Sequence, residues 1–338
     1  MEKTQATAQT VVVSGIRSTG HLHLGNYFGA LRNFVDMQER FQCYFFIADL
    51  HSLTTHPTPD HLQDAVRDIL AEYLAAGLDP NKCTLYVQSD VTEVIELYLY
   101  LNMNAYLGEL ERCTSFKEKL RKNPNNVNAG LLTYPTLMAA DILIHRAHVV
   151  PVGKDQEQHL EMARNFAERF NRMYQCELFP APQPYLSDKP LIKIPGLDGG
   201  GKMGKSDGNA LYLADTPEVI RKKVMKAVSD IAPSIPNQPK SEPVENLFTL
   251  MKLVSAPDTV AHFENLYNQC EIRYGDMKKQ LAEDMIAFLT PLQERIAHFR
   301  NNETLLRNVA QQGAEKARSS ARQTLALVRE AIGIRSLF

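Results

Sequence analysis

The chain changes rhythm partway along its length. In the first half, short apolar runs alternate with stretches of helical spacing. Residues 11–14 form a β-branched run and read as a strand. A glycine-punctuated loop follows over 15–25. From 25 to 40, Tyr27, Leu31, Phe34 and Val35 recur on one helical face. Residues 43–48 are a second apolar strand. Strand, helix and strand in this order predict a βαβ unit, the building block of a parallel sheet.

The alternation continues. Thr58-Pro59 opens a helix that runs to Ala76 and stops at Gly77, with a threonine cap and proline at the first helical position. Residues 84–88 read as a strand, 91–106 and 109–120 as helices, and 121–128, with a proline and four asparagines, as a loop. A helix over 131–145, a strand over 149–152 and a helix over 155–174 with an acidic cap complete this half.

Prolines 180, 182 and 184 mark a connector, and 190–195 a short strand or hairpin. A glycine loop covers 196–208. Beyond it only helical patterns occur, over 216–228, 244–254, 257–270, 275–299 and 303–332; Pro291 is expected to kink or divide the fourth. The expected fold class is α/β, a Rossmann-like doubly wound parallel sheet with an appended all-helical domain. The expected divisions are a polar tail (1–10), the α/β domain (11–190), a mobile loop (191–214), a helical domain (215–302) and a last helix (303–338) packing back on the sheet domain.

Composition narrows the picture slightly. A net charge of −2 over 338 residues gives no support for a nucleic-acid partner, so any basic surface must be local. No apolar run is long enough to span a membrane, and the polar N-terminus lacks a signal-peptide core. The cysteines (43, 83, 113, 176, 270) are scattered with no C-x-x-C pair. That excludes an evident zinc site or disulfide framework and fits reduced thiols in the cytoplasm.

Three constellations carry chemistry. The first is His23-Leu24-Gly25-Asn26, beyond the carboxyl end of the first strand, where open parallel sheets bind ligands. The helix that follows offers free N–H groups to phosphate. An ordinary βα turn with a surface histidine would look the same. The second is Lys202-Met203-Gly204-Lys205-Ser206, a glycine-rich loop with two cations that can close on a triphosphate. A solvated basic loop is the plain alternative, and the spacing is not that of a P-loop. The third is Tyr134, Met138 and Asp141, one face of an apolar helix bearing a single carboxylate. A buried carboxylate needs a partner, either His145 one turn on or a ligand N–H. Clusters at Lys117, Lys119, Arg121 and Lys122, and at Lys222, Lys223 and Lys226, read first as solvated faces.

Together, in this order, these segments resemble the tryptophanyl-tRNA synthetase family, of class I aminoacyl-tRNA synthetases. The resemblance spans nearly the whole chain: residues 14–31, 108–119, 131–143, 150–159 and 313–318 each match a family segment. It implies an ATP-dependent tryptophan–tRNA ligase. Asp141 would accept the indole N–H; Gly15, Tyr134, Met138, Val150 and Val152 would surround the ring; His51 and Gln156 would orient the amino acid. Arg17, Gly25, Asn26, Gly153, Asp155, Gln156 and Met203 would bind ATP. Lys119, Lys202, Lys205 and Ser206 would contact its phosphates, with His23 and Asn26 assisting catalysis. Mg2+ would accompany ATP, with no resident metal and no iron–sulfur cluster, because only Cys270 lies in the helical region. Lys222, Lys223 and Lys226 would meet tRNA(Trp), the helical domain would read its anticodon, and the chain would be a cytoplasmic homodimer with no DNA or membrane partner.

Three positions depart from the family pattern: Gly204 replaces a serine, Arg17-Ser18 a Gln-Pro pair, and His145 a tyrosine. The nearest rival is the tyrosyl-tRNA synthetase family, where glutamine usually stands at the place of Met138. A small nucleotidyltransferase would not need the appended helices. A synthetase-like binding protein that has lost catalysis is the remaining alternative.

Overall fold

The computed structural model describes residues 10–122, 124–153, 156–185 and 193–335. Its centre is a five-stranded parallel sheet: β1 (Val11–Arg17), β2 (Gln42–Ala48), β3 (Thr84–Val87), β4 (Val149–Val150) and β5 (Gln183–Pro184), in the order β3-β2-β1-β4-β5. β1 and β2 pair from Val11 with Gln42 through Arg17 with Ala48. The order reverses at β1, so the crevice beyond its carboxyl end is a topological switch point.

Period-two alternation divides the core between the two faces of the sheet. Val12, Phe45, Ile47 and Leu85 point into one cluster, Val13, Tyr44, Phe46 and Tyr86 into the other. The first face is covered by α1 (24–37) and α2 (Pro59–Ala76), and its cluster runs on into the helical half through Phe248, Met277 and Leu281. Helices α3 (Glu93–Met103), α4 (Leu107–Arg112), α5 (Thr114–Lys122), α6 (Ala129–Leu143) and α7 (Glu157–Tyr174) follow in sequence. Of these, α3, α6 and α7 bury residues in the second cluster. Each fully buried Val, Leu or Phe contributes roughly 1.5–3 kcal/mol against conformational entropy.

The helical half comprises α8 (Pro217–Met225), α9 (Glu242–Val254), α10 (Pro257–Asn268), α11 (Tyr274–Arg300) and α12 (Glu303–Ile332). Helix α12 lies against β3: a Cβ added at Gly313 would stand 1.6 Å from the Leu85 carbonyl oxygen. Arg322 and Arg329 then pair with Glu93 and Glu96 on α3 at 2.7 and 2.6 Å.

Several elements differ from the sequence reading. The prolines taken as a connector include β5; Pro184 lacks an N–H to donate, and an edge strand tolerates that. Pro291 does not divide its helix, which runs unbroken from Tyr274 to Arg300. Helix α1 is not uniform, because Tyr27–Leu31 is a wider i→i+5 turn directly behind the His23-Leu24-Gly25-Asn26 segment. Helix α7 starts at Glu157 with Gln156 as its N-cap rather than an aspartate; Asp155 lies outside the described residues. Residues 190–192 of the 190–195 segment are also outside them, and Pro195 bridges to Lys202.

Candidate active site

The two signature loops, 15–25 and 191–214, are stitched together by backbone. Leu24 N–H donates to the Leu211 carbonyl at 2.9 Å, and Leu213 N–H to that of Leu22 at 2.8 Å. The second loop folds on itself through Met203 N–H to the Ile194 carbonyl at 2.9 Å. Asn209, which sequence reasoning missed, is its organiser. It is 5% exposed, takes the Gly204 N–H on Oδ1 at 2.9 Å and donates Nδ2 to Asp198 at 3.1 Å. Gly204 is thus tied rather than loose, and its missing side chain leaves room for Asp207, whose Oδ2 would lie 2.5 Å from a Cβ.

His23 caps α1. Its Nδ1 accepts the Asn26 N–H at 3.3 Å while Asn26 Oδ1 accepts the His23 N–H at 3.1 Å, a reciprocal capping box. With Nδ1 an acceptor, the ring proton sits on Nε2. Burial, then Lys205 and Lys202, push this histidine down to about 4, so it is neutral at pH 7. His23 therefore offers one N–H donor, not a cation. A side chain on Gly25 would reach within 2.8 Å of the imidazole, so glycine is what allows this ring placement. Met203 is 2% exposed and its side chain packs in the core.

Cations converge beside these loops. Lys205 Nζ donates to the Gly20 carbonyl at 2.7 Å. Burial brings its pKa down to about 8, with Glu72 opposing and Arg17 adding to the shift. Lys119 lies over the Tyr134 ring at 4.5 Å and is lowered by burial and by Arg17. Arg17 is itself lowered by burial; it donates to Thr54 Oγ1 at 3.3 Å, while its buried Nε finds no partner among the described residues. Cations that lose hydration and repel one another gain most from an anionic ligand. The side chain of Ser206 is outside the description; Lys202 is exposed at the loop surface.

Glu72 was also missed, although a lone carboxylate within the apolar run of α2 is a legible signal. It is fully buried and accepts from Leu22 N–H and His21 Nδ1, each at 3.0 Å. Burial raises it, and His21 is raised in turn by its hydrogen bond to Glu72. The pair props the first signature loop from below.

On the other side of β1 lies a second compartment. Gly15 is exposed within the central strand, where a Cβ would meet the Phe46 ring at 2.4 Å. Tyr134, Met138, Val152, His51 and Gln156 are partly buried, and Val150 is buried. Asp141, 2% exposed, is the sole carboxylate on α6. Its partner is not His145. His51 Nε2 donates to Oδ2 at 2.9 Å, and Gln88 Nε2 reaches Oδ1 at 2.8 Å and Oδ2 at 2.9 Å. Burial raises this carboxyl, opposed by His51 and Gln88. His145 instead joins the Tyr86 hydroxyl at 3.0 Å and Ser320 at 3.1 Å, and stacks on Tyr44.

Tyr134 is locked from behind. Its hydroxyl hydrogen-bonds Ser115 and His159, and His159 also meets Gln156 Oε1 at 2.8 Å and Cys113 Sγ at 3.3 Å. Burial raises the Cys113 thiol, but hydrogen bonds with His159 and Ser115 outweigh it and bring it to about 6. Gln156 N–H closes a turn onto the Gly153 carbonyl at 2.9 Å. The Tyr134 ring thus lies under Lys119, and the acceptor Asp141 stands on the same face of α6.

The lysines of α8 do not act as a set. Lys223 pairs with Asp215 at 2.6 Å and the Ala210 carbonyl at 3.0 Å, fastening α8 to the end of the second loop. Lys222 and Lys226 are exposed.

Known proteins resemble this chain over nearly its whole length. The profile of tRNA synthetases class I (W and Y) matches residues 5–290. A tryptophan–tRNA ligase of Porphyromonas gingivalis is 66% identical over 324 residues, covering 96% of this chain and 99% of that protein. The structure of Campylobacter jejuni tryptophanyl-tRNA synthetase, complexed with ADP and tryptophan, superposes with a TM-score of 0.85 at 33% identity, over 96% of this chain and 100% of that one. The Mycoplasma pneumoniae enzyme gives 0.82 at 34% identity, over 97% and 99%. An Aeropyrum pernix tyrosyl-tRNA synthetase, at 19% identity and a TM-score of 0.64 over 96% and 90%, shares the fold. The chain belongs to the class I tRNA synthetase family of the tryptophanyl and tyrosyl enzymes.

Proposed function

We propose that this protein activates L-tryptophan with ATP and transfers it to the 3′ end of tRNA(Trp). The observation that carries this reading is Asp141: a buried carboxylate, met only by donors among the described residues, at the end of an aromatic slot beside clustered cations. An acceptor there suits the indole N–H, and an apolar Met138 suits a bicyclic ring. Tyrosine activation is less supported, because the 66% identical relative is a tryptophan–tRNA ligase. A binding protein without catalysis is disfavoured by the retained Lys202 and Lys205.

The chemistry needs no protein nucleophile. The tryptophan carboxylate attacks the α-phosphorus in line, pyrophosphate leaves, and the adenylate then acylates the terminal ribose. Positioning and charge stabilisation do the work. His51 and Gln156 orient the amino acid; Gly25, Asn26, Gly153 and Asp155 hold adenosine; Arg17, Lys119, Lys202, Lys205 and Ser206 take the phosphates. Neutral His23 donates through Nε2, and Asn26 through its amide. Mg2+ enters as part of the substrate MgATP.

The domain roles follow the same reading: residues 11–190 catalytic, 191–214 the moving loop, 215–302 anticodon-binding, and 303–338 a brace. Lys222 and Lys226 remain as phosphate contacts for tRNA, whereas Lys223 holds α8 in place. A homodimer is supported by the exposed apolar stripe of Ile95 (45%), Leu99 (47%) and Met103 (76%) on α3, continued by Tyr106 and Leu107. None of the described helices is long and apolar enough to cross a membrane, and we assign the protein to the cytoplasm with its tRNA. ATP-dependent incorporation of labelled tryptophan into bulk tRNA tests the reading. Charging with tryptophan and not tyrosine is expected; charging with tyrosine, or none, would overturn it.

A further inference from the structure

Gln88 opens the turn Gln88–Asp90 that ends β3, and it is 1% exposed. Both ends of its amide are committed. Oε1 accepts from the backbone N–H groups of Leu50 at 3.1 Å and His51 at 3.4 Å. Those donors require a carbonyl oxygen, so the amide has one orientation and Nε2 faces Asp141. Nε2 spans the carboxylate, 2.8 Å from Oδ1 and 2.9 Å from Oδ2, and the His51 ring adds a donor to Oδ2. Gln88 thus braces the backbone of His51 while sharing Asp141 with its ring.

A carboxylate turns easily about its last bond, since that torsion is broad and two-fold. Burial also favours the neutral acid, whose O–H donates to a phenol oxygen and whose remaining carbonyl oxygen is a weaker acceptor for a ring N–H. Gln88 opposes both tendencies.

We propose that Gln88 is a positioning residue for amino-acid selection: by gripping both oxygens of Asp141 it fixes the carboxylate's rotation and keeps it an acceptor for a substrate ring N–H. The proposal rests on tryptophan activation as the protein's function. Gln88 touches no substrate atom and acts through Asp141. The relevant discrimination is between a bicyclic ring with an N–H and the same shape without one. A site built to receive a donor rejects the analogue that lacks it far more strongly than size alone could.

The test is ATP–pyrophosphate exchange with tryptophan and with 3-(benzothiophen-3-yl)alanine, an isostere lacking the N–H. Wild type, Gln88→Glu and Gln88→Met are compared, with thermal unfolding as a folding control. Gln88→Glu keeps an oxygen for Leu50 and His51, while its other oxygen must share a proton with the Asp141 carboxylate 2.8 Å away; the backbone brace stays and the fixed amide donor is lost, so the two variants remove the grip by different routes. Wild type is expected to prefer tryptophan by roughly a hundredfold in kcat/KM. Each folded variant is expected to narrow that preference by about tenfold or more, through KM for tryptophan, with KM for ATP unchanged. An unchanged preference, with activity on both amino acids falling by the same factor, would make Gln88 merely structural and overturn the proposal. Wild type that exchanges with neither compound would instead overturn the functional reading, a result visible before any variant is made.

Discussion

Lys205 gives the sharpest handle on phosphate binding. Burial lowers its pKa to about 8, where an ordinary lysine titrates near 10.5. With that value it is charged in about 90% of molecules at pH 7 and about 10% at pH 9. If its ammonium receives the triphosphate, kcat/KM for ATP, which reports the free enzyme, must fall with it. The expected profile is flat near pH 7 and drops about tenfold for each unit well above pH 8. Lys205→Arg separates this group from Lys119, whose pKa is also lowered. Guanidinium stays charged throughout, so the variant is expected to lose the alkaline limb even if its plateau is lower. The assay is pyrophosphate exchange at subsaturating ATP and saturating tryptophan from pH 6.5 to 9.5. A wild-type profile flat to pH 9.5, or a limb unmoved by Lys205→Arg, would refute the assignment.

Gly313→Ala should destabilise the protein. Helix propensity alone predicts a gain of about 1 kcal/mol, but the added methyl would sit 1.6 Å from the Leu85 carbonyl oxygen, and overpacking of this kind costs about 1–3 kcal/mol or more. A raised Tm would show that α12 does not press on β3. Acid should also destabilise through His145, which burial lowers to about 3. Because the folded value lies below the unfolded 6.5, this stability is complete above pH 6.5. It is lost as pH falls toward 3, by roughly 1.4 kcal/mol per unit. His145→Phe should therefore lose less Tm than wild type between pH 7.5 and 5; equal losses would exclude His145 as a source.

Much of this architecture was legible from local pattern, because buried parallel strands are short apolar runs and the helices between them keep their period. β5 was not: two residues of proline-rich edge strand carry no periodic signal. The apolar face that carries Asp141 was readable from its spacing of i, i+4 and i+7, but its partner was not. Sequence proximity favoured His145. The actual partners, His51 and Gln88, come from strand ends 90 and 53 residues away. Only the stacking of parallel strands brings those ends together. Likewise, nothing local marks Lys223 as structural and Lys222 as exposed. That distinction arises from Asp215 lying below one and solvent below the other.

If Asp141 selects the amino acid, its loss must show in the first chemical step. That step is read by ATP–pyrophosphate exchange with tryptophan and with tyrosine, in wild type and Asp141→Ala. Folding of the variant is checked by its ATP affinity. Exchange is expected with tryptophan alone, with a loss of kcat/KM on the order of a hundredfold or more in the variant. Exchange driven by tyrosine, or a folded variant as active on tryptophan as wild type, would contradict it.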